Sequence, residues 1–185
     1  VWDFTSGPKE DVYRYDYVSV NDGGNGADFA SAKVAERTTF ESDGTKTWLY
    51  FEQVPGLGRR IYGTYTEIKS PFQPTAPFKS PIVDFPDTIR YKDTWATATT
   101  WAVNIFTIDT GPDPSDPDDL GGSLDIPALI NYSSTATADA FGIINLPGLG
   151  FGEGLRVNYL TTLDVQIDLG DGFQTVATEY IRTYY

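Results

Sequence analysis

The sequence predicts an all-β protein: an antiparallel β-sandwich or a strongly curved open sheet, barrel-like or jelly-roll-like, with little or no helix. Three observations carry that expectation. Tyr, Thr, Val, Ile, Phe and Trp are abundant and recur with period two, the spacing that puts alternate side chains on opposite faces of a strand. Gly and Pro clusters punctuate these runs, as in sandwiches and open barrels. No segment carries an apolar stripe at helical spacing, and no internal repeat of fixed period is present.

In order, "DVYRYDYVSV" (11–20) alternates, with Tyr13, Tyr15 and Tyr17 on one face and Val12, Arg14 and Asp16 on the other. "SAKVAERTTFE" (31–41) and "TKTWLYFEQV" (45–54) flank "SDG", where Gly supplies a positive φ for a hairpin turn. "RRIYGTYTEIK" (59–69) follows the turn "PGLG". The four prolines of "SPFQPTAPFKSP" (70–81) cannot donate to a ladder, so this stretch reads as a crossover loop or an edge segment. "TWATATTWAVNIFTID" (94–109) reads as a long strand, and "SLDIPALINYSSTATADA" (123–140) as its return. "FGIINLP" reads as a separate short strand. "LRVNYLTTLDVQIDL" (155–169) and "FQTVATEYIRTYY" (173–185), joined around "GDG", form the clearest hairpin, long enough to demand a twisted sheet.

At 185 residues the chain fits a single β domain over 1–185, large enough to bury a core without disulfides. It has no Cys, no His and no Met. Ser-His-Asp and Cys-His nucleophile systems are therefore impossible within this chain, as are zinc sites built on His or Cys. The chemistry left to it is that of carboxylates, Lys, Tyr and hard metal ions held by oxygen. The net charge is −13 and the sequence pI ≈ 4.2, which repels nucleic acid and anionic membrane surfaces. No apolar run approaches the ~20 residues that span a bilayer, so no membrane insertion is expected. With no Met, Val1 is not an initiator, and the strand-like ending "TEYIRTYY" stops without a turn; both suggest a piece processed or excised from a longer secreted precursor.

Candidate sites are few. "DTGPDPSDPDDLGGSLD" (109–125) offers Asp109, Asp113, Asp116, Asp118, Asp119 and Asp125 as oxygen ligands for Ca²⁺, the only cofactor suggested. Its spacing does not follow an EF-hand loop, and Pro112, Pro114 and Pro117 stiffen it, so the plainer reading is a solvated acidic connection. In "NDGGNGAD" (21–28), Asp22, Asn25 and Asp28 present the same choice between a cation site and a hairpin tip. Tyr13, Tyr15 and Tyr17 form a candidate glycan platform, sugar C–H groups stacking on the rings; aromatic rows also serve as cross-strand packing. Trp48 with Tyr50, and Trp95 with Trp101, share faces in the same way. Glu52, Glu67 and Glu179 lie within strands, but no pair of carboxylates stands out as the facing couple a glycosidase needs. Asn131-Tyr132-Ser133 is the single N-x-[ST] sequon without Pro, which makes Asn131 a candidate glycosylation site.

Three segments, in order, resemble the secreted cargo proteins of the type IX secretion system: "VWDFTSG" at the start, "PIVDFPDTIRYKDTW" (81–95), and "DAFGIINLPGLGFGEGLRV" (139–157) with Gly142, Pro147, Gly150, Phe151, Leu155, Arg156 and Val157. Lys92 stands where such proteins often have Gly, so the turn there is expected to differ. In this setting Gly142 and Gly150 read as turn residues. The resemblance implies an exported, extracellular or cell-surface β-rich domain that precedes a sorting domain, and it implies no particular activity. The expected role is a non-catalytic structural or adhesive module whose partners are further copies of itself, other surface proteins or glycans, with assembly into a filament or surface layer through strand edges. The alternatives are a carbohydrate-binding module and a carboxylate-dependent glycoside hydrolase.

Overall fold

A computed structural model of the chain describes residues 2–3, 13–22, 24–67, 75–109, 123–146, 150–168 and 170–185. Ten strands follow in order: β1 (Trp2–Asp3), β2 (Tyr13–Val18), β3 (Val34–Phe40), β4 (Lys46–Val54), β5 (Gly58–Thr66), β6 (Thr75–Pro86), β7 (Thr94–Asp109), β8 (Ser123–Leu146), β9 (Gly150–Asp168) and β10 (Phe173–Tyr184). They form two sheets packed as a sandwich. Sheet I is an antiparallel meander, β2-β3-β4-β5-β6. Sheet II runs β7-β8-β9-β10, all antiparallel, with β1 added parallel to β8 at Ile144 and Asn145. The only helical turn among the described residues is a 3₁₀ turn, Gly26–Phe29.

The alternation that predicts strands also assigns their faces. The inner face of sheet I carries Leu49, Phe51, Ile61 and Ile82, which pack with Phe78 and with Tyr132 of sheet II. Sheet II answers with Ala136, Val157, Tyr159 and Trp95, against which Phe85 of β6 packs. The layers also share hydrogen bonds: Thr99 donates its hydroxyl to Ser80 O (2.8 Å) and Trp95 Nε1 donates to Asp84 O (2.7 Å).

The outer face of sheet I is not left to water. Residues 19–22 and 24–33 fold back across it as a flap, so Trp48 and Tyr50 are buried with Phe29, Ala32 and Ala35. Phe29 stacks on Tyr50 at a ring separation of 4.1 Å. Gly63 makes room for this: its φ is +153°, and a Cβ there would lie 2.6 Å from Phe29 Cε1. "NDGGNGAD" is thus part of a covering segment rather than a hairpin tip.

The edge-segment reading of "SPFQPTAPFKSP" holds for its second half, which lies in β6 at the edge of sheet I, where prolines cost no ladder bond inside a sheet. One other expectation changes. "FGIINLP" is not a separate strand: residues 123–146 form one strand of 24 residues, its pairing to β9 interrupted by a register shift between Ala138 and Ala140. Gly142 consequently sits in extended strand opposite Gly154, not in a turn, whereas Gly150 does take a positive φ (78°) at the start of β9.

Candidate functional site

Between the sheets lies a cleft of about 410 Å³. Sheet I lines it with Leu49 of β4, Ile61 and Thr64 of β5, and Phe78, Ile82, Asp84 and Phe85 of β6. Sheet II lines it from β7, β8, β9 and β10, ending with Ile181 and Thr183 of β10 and Tyr185 just after it. No residue of β2 or β3 contributes to the lining.

One charged cluster stands at the cleft wall. Arg59 on β5 places Nε 3.0 Å from both carboxylate oxygens of Asp84, bonds it again through Nη2, and reaches Glu36 Oε2 through Nη1 at 3.4 Å. Its guanidinium lies 5.0 Å from the Phe85 ring centroid and 5.6 Å from that of Phe51. Burial alone would lower the Arg59 pKa; hydrogen bonding and charge from Asp84, then the charge of Glu36, outweigh it and hold the group above its ordinary value. The Asp84 carbonyl meanwhile accepts from Trp95 and from the Tyr159 hydroxyl. Burial pushes the Tyr159 phenol far above its usual range, and burial also raises Tyr185, against the opposing charge of Arg59. Glu36 and Asp84 therefore face inward bound to a guanidinium, an arrangement that fastens β3, β5 and β6 together.

Tyr13, Tyr15 and Tyr17 do share a face, and it is the inner face of sheet I: their register partners are Phe40, Thr38 and Glu36. Yet they are 44%, 61% and 68% exposed. Tyr13 meets Phe40 edge-on at 5.1 Å and Tyr17 meets Phe51 at 6.2 Å, so both ends of the row are braced from the sheet side while their other flank stays open. The charge of Glu36, then burial, raises the Tyr17 pKa. Trp48 and Tyr50, by contrast, lie under the flap, and Trp95 and Trp101 point inward, Trp101 stacking on Phe78 at 5.2 Å.

Comparison with family models, with curated proteins and with solved structures finds no match to this chain. The site is therefore read from its own residues.

Of the acidic stretch, Asp113, Asp116, Asp118 and Asp119 lie outside the described residues; Asp109 ends β7 opposite Ser123, and Asp125 pairs with Thr107. Asn25 is a structural clip: its backbone N–H donates to the Tyr50 hydroxyl (3.1 Å) and its amide to the Asp28 carboxylate and to Thr75 Oγ1 (3.1 Å). Among the described residues no group of three or more Asp or Glu side chains gathers closely enough to hold a metal ion. Asn131 lies mid-strand on the outer face of sheet II, half-buried between Thr100 and Asp164. Glu52 accepts from Tyr62 and Arg60 (3.3 Å), Glu67 faces Lys46 at 4.0 Å, and Glu179 is exposed on β10. The Arg59 cluster escapes sequence reasoning because its three members come from strands distant in the chain. The hint available was an Arg and two acids inside runs otherwise apolar on that face.

Proposed function

We propose that this chain is a non-catalytic structural or adhesive module, displayed outside the cell, that associates by accepting an added strand at β10. The observation that carries this reading is the state of that strand. β10 is a 12-residue edge of sheet II, exposed on nearly every residue, beside a cleft whose mouth it forms. Native edge strands are usually short, proline-bearing or heavily charged, which discourages pairing. Residues 173–185 hold no proline and one Glu with one Arg. Tyr185 and Val157 exchange both backbone hydrogen bonds, so between the register shift at Thr175/Ala177 and the end of β10 the even-numbered residues, Thr178 to Tyr184, direct their N–H and C=O groups away from β9. Tyr180 is thus an outward donor. The resemblance to secreted cargo in three segments supports the location.

Replacing that donor tests the reading. Tyr180→Pro removes an outward N–H at a position where an edge strand tolerates proline. Sedimentation velocity across a concentration series should show the wild type associating and the variant not. A wild type that stays monomeric at every concentration overturns the proposal.

A second reading is favoured by the open tyrosine row: a carbohydrate-binding face at Tyr13, Tyr15 and Tyr17. Glycan-array retention that disappears in Tyr15→Ala supports it. No retention at millimolar sensitivity removes it.

A further inference from the structure

The two sheets do not close over their whole facing area. In a sandwich the inner-face side chains interdigitate to form the core. Ile61, Ile82 and Tyr159 do so, each 5% exposed. Leu49, Phe78, Trp101 and Leu163 line the same cleft and are only half-buried, and Ile181 is 36% exposed. The core is accordingly split. One cluster gathers around Phe51, Ile61 and Ile82, another around Ala136, Val157 and Tyr159, and the cleft borders both. Its volume of about 410 Å³ holds about 14 groups the size of a water or a methylene, at ~30 Å³ each.

Register gives the cleft two unlike ends. At one end Tyr159 stands opposite Thr183, and Phe85 and Tyr185 meet its ring at 5.5 and 5.3 Å. Asp84 belongs here, since its carbonyl accepts from the Tyr159 hydroxyl. Four residues farther along β9, about 14 Å at ~3.4 Å per residue, Leu163 stands opposite Tyr132, and Tyr132 opposite Thr99. One inward step beyond Thr99 comes Trp101, stacked on Phe78. This end is chiefly apolar. Tyr132 is rooted there but reaches back: besides burial, the charges of Asp84 and Tyr132 act on both the Tyr159 and the Tyr185 phenols, so the three hydroxyls gather around Asp84. The hydroxyls of Tyr132 and Tyr185 have no hydrogen-bond partner among the described residues.

Charge narrows what can enter. Asp84 is the one charged side chain among the described lining residues, and Arg59 already bonds both of its oxygens. With Glu36 the cluster holds two carboxylates and one guanidinium, a net charge of −1. An anionic head would meet that charge in a desolvated setting, on a chain of net −13. A cationic head would leave water for a carboxylate that Arg59 has already satisfied. An uncharged head that donates and accepts hydrogen bonds suits the free phenols without either cost.

We propose that the inter-sheet cleft is a binding site for a single-chain amphiphile with an uncharged, hydroxyl-bearing head. Its chain lies along β9 against Leu163, Phe78, Trp101 and Leu49, and its head sits among the Tyr132 and Tyr185 hydroxyls. The site is separate from strand addition at β10, which uses the outward backbone of that strand.

The probe is n-decanol, with decanoate and decylamine as charged counterparts. n-Decanol should bind once per chain by calorimetry, raise the thermal midpoint through linkage, and shift tryptophan emission. That emission shift should vanish in Trp101→Phe while the rise in midpoint persists. Thr161→Trp places an indole in the middle of the cleft and should weaken binding at least about tenfold. Circular dichroism checks that it folds, and Thr183→Trp, on the outermost strand of the same lining, replaces it if it does not. Tyr132→Phe should weaken n-decanol about threefold to tenfold, the loss of one hydrogen bond. No binding of n-decanol up to its solubility limit overturns the proposal, as does wild-type affinity in the folded tryptophan variant. Decanoate or decylamine binding as tightly as the alcohol overturns the uncharged head, and an emission shift kept in full by Trp101→Phe overturns the placement of the chain.

Discussion

Lys92 is the one described non-glycine residue with a positive φ, 74°. The left-handed region costs an L-residue about 1–2 kcal/mol because Cβ crowds the following carbonyl. The turn accepts this because the Lys92 amide donates to Ala138 O (2.8 Å) and the Ala138 amide donates to Asp93 O (2.9 Å), joining the turn to β8 next to the start of its pairing with β7. Its ammonium also sits 5.4 Å from the Tyr91 ring centroid. Glycine would meet the same φ without the crowding and give back part of the gain as extra freedom in the unfolded chain. Lys92→Gly should therefore stabilise the protein by about 0.5–1 kcal/mol, raising Tm by about 1–4 °C. Calorimetry checks it, and an unchanged or lower midpoint means that the Lys92 side chain contributes more over Tyr91 than the backbone strain costs. The sequence marked this position as a departure from a glycine; the sign of its φ needed the structure.

Among the elements, the flap formed by residues 19–22 and 24–33 shows where reading a sequence stops. Alternation in "TKTWLYFEQV" correctly puts Trp48 and Tyr50 on one face, and in "DVYRYDYVSV" the three tyrosines on another. Nothing in period two says which face is covered. Both rows read alike as either a platform or cross-strand packing, yet the three tyrosines stand half in solvent while Trp48 and Tyr50 are buried. The covering segment is rich in Gly, Asn and Asp, so it reads as a turn, and its large buried side chain is Phe29. Strand lengths fail similarly. The register shift between Ala138 and Ala140 changes the phase of alternation within β8, which makes one strand resemble two. The acidic connection between β7 and β8 was legible as a connection because the runs on either side pair residue by residue, Thr94 to Thr137 onward. If Phe29 is the flap's anchor, Phe29→Ala should cost about 3–5 kcal/mol, the usual price of emptying a buried aromatic site. It should also raise hydrogen exchange at Ala35 and Tyr50 before it does so in sheet II. Loss of protection spread evenly over both sheets would show instead that the flap and the sandwich unfold as one unit.

For the whole molecule, the absence of His and Cys fixes how stability responds to pH. No side chain has an ordinary pKa between about 5 and 8, so folding exchanges few protons across the neutral range. At the acid end Asp16 and Asp139 are held below the usual carboxylate range, chiefly by hydrogen bonds from Arg37 and Arg156 respectively. A depressed folded pKa contributes stability above the unfolded value, lost as pH falls through the folded one. At the alkaline end burial raises Tyr50, Tyr62, Tyr159 and Tyr185, and the charge of Glu36 raises Tyr17. For these phenols the sign reverses: their stabilising share is complete below the unfolded value of about 10 and falls as pH rises beyond it, since the unfolded chain ionises first. Urea unfolding between pH 6 and 9 should therefore give a flat free energy, followed by a decline above about pH 10 that steepens as the buried phenols are forced to ionise. Tyr159→Phe keeps the ring while removing the hydroxyl donated to Asp84 O, so it should lower the plateau and soften the alkaline decline. A slope within the neutral range, or an alkaline limb identical in Tyr159→Phe, would show that the pH response originates in the surface repulsion of a −13 chain rather than in its buried phenols.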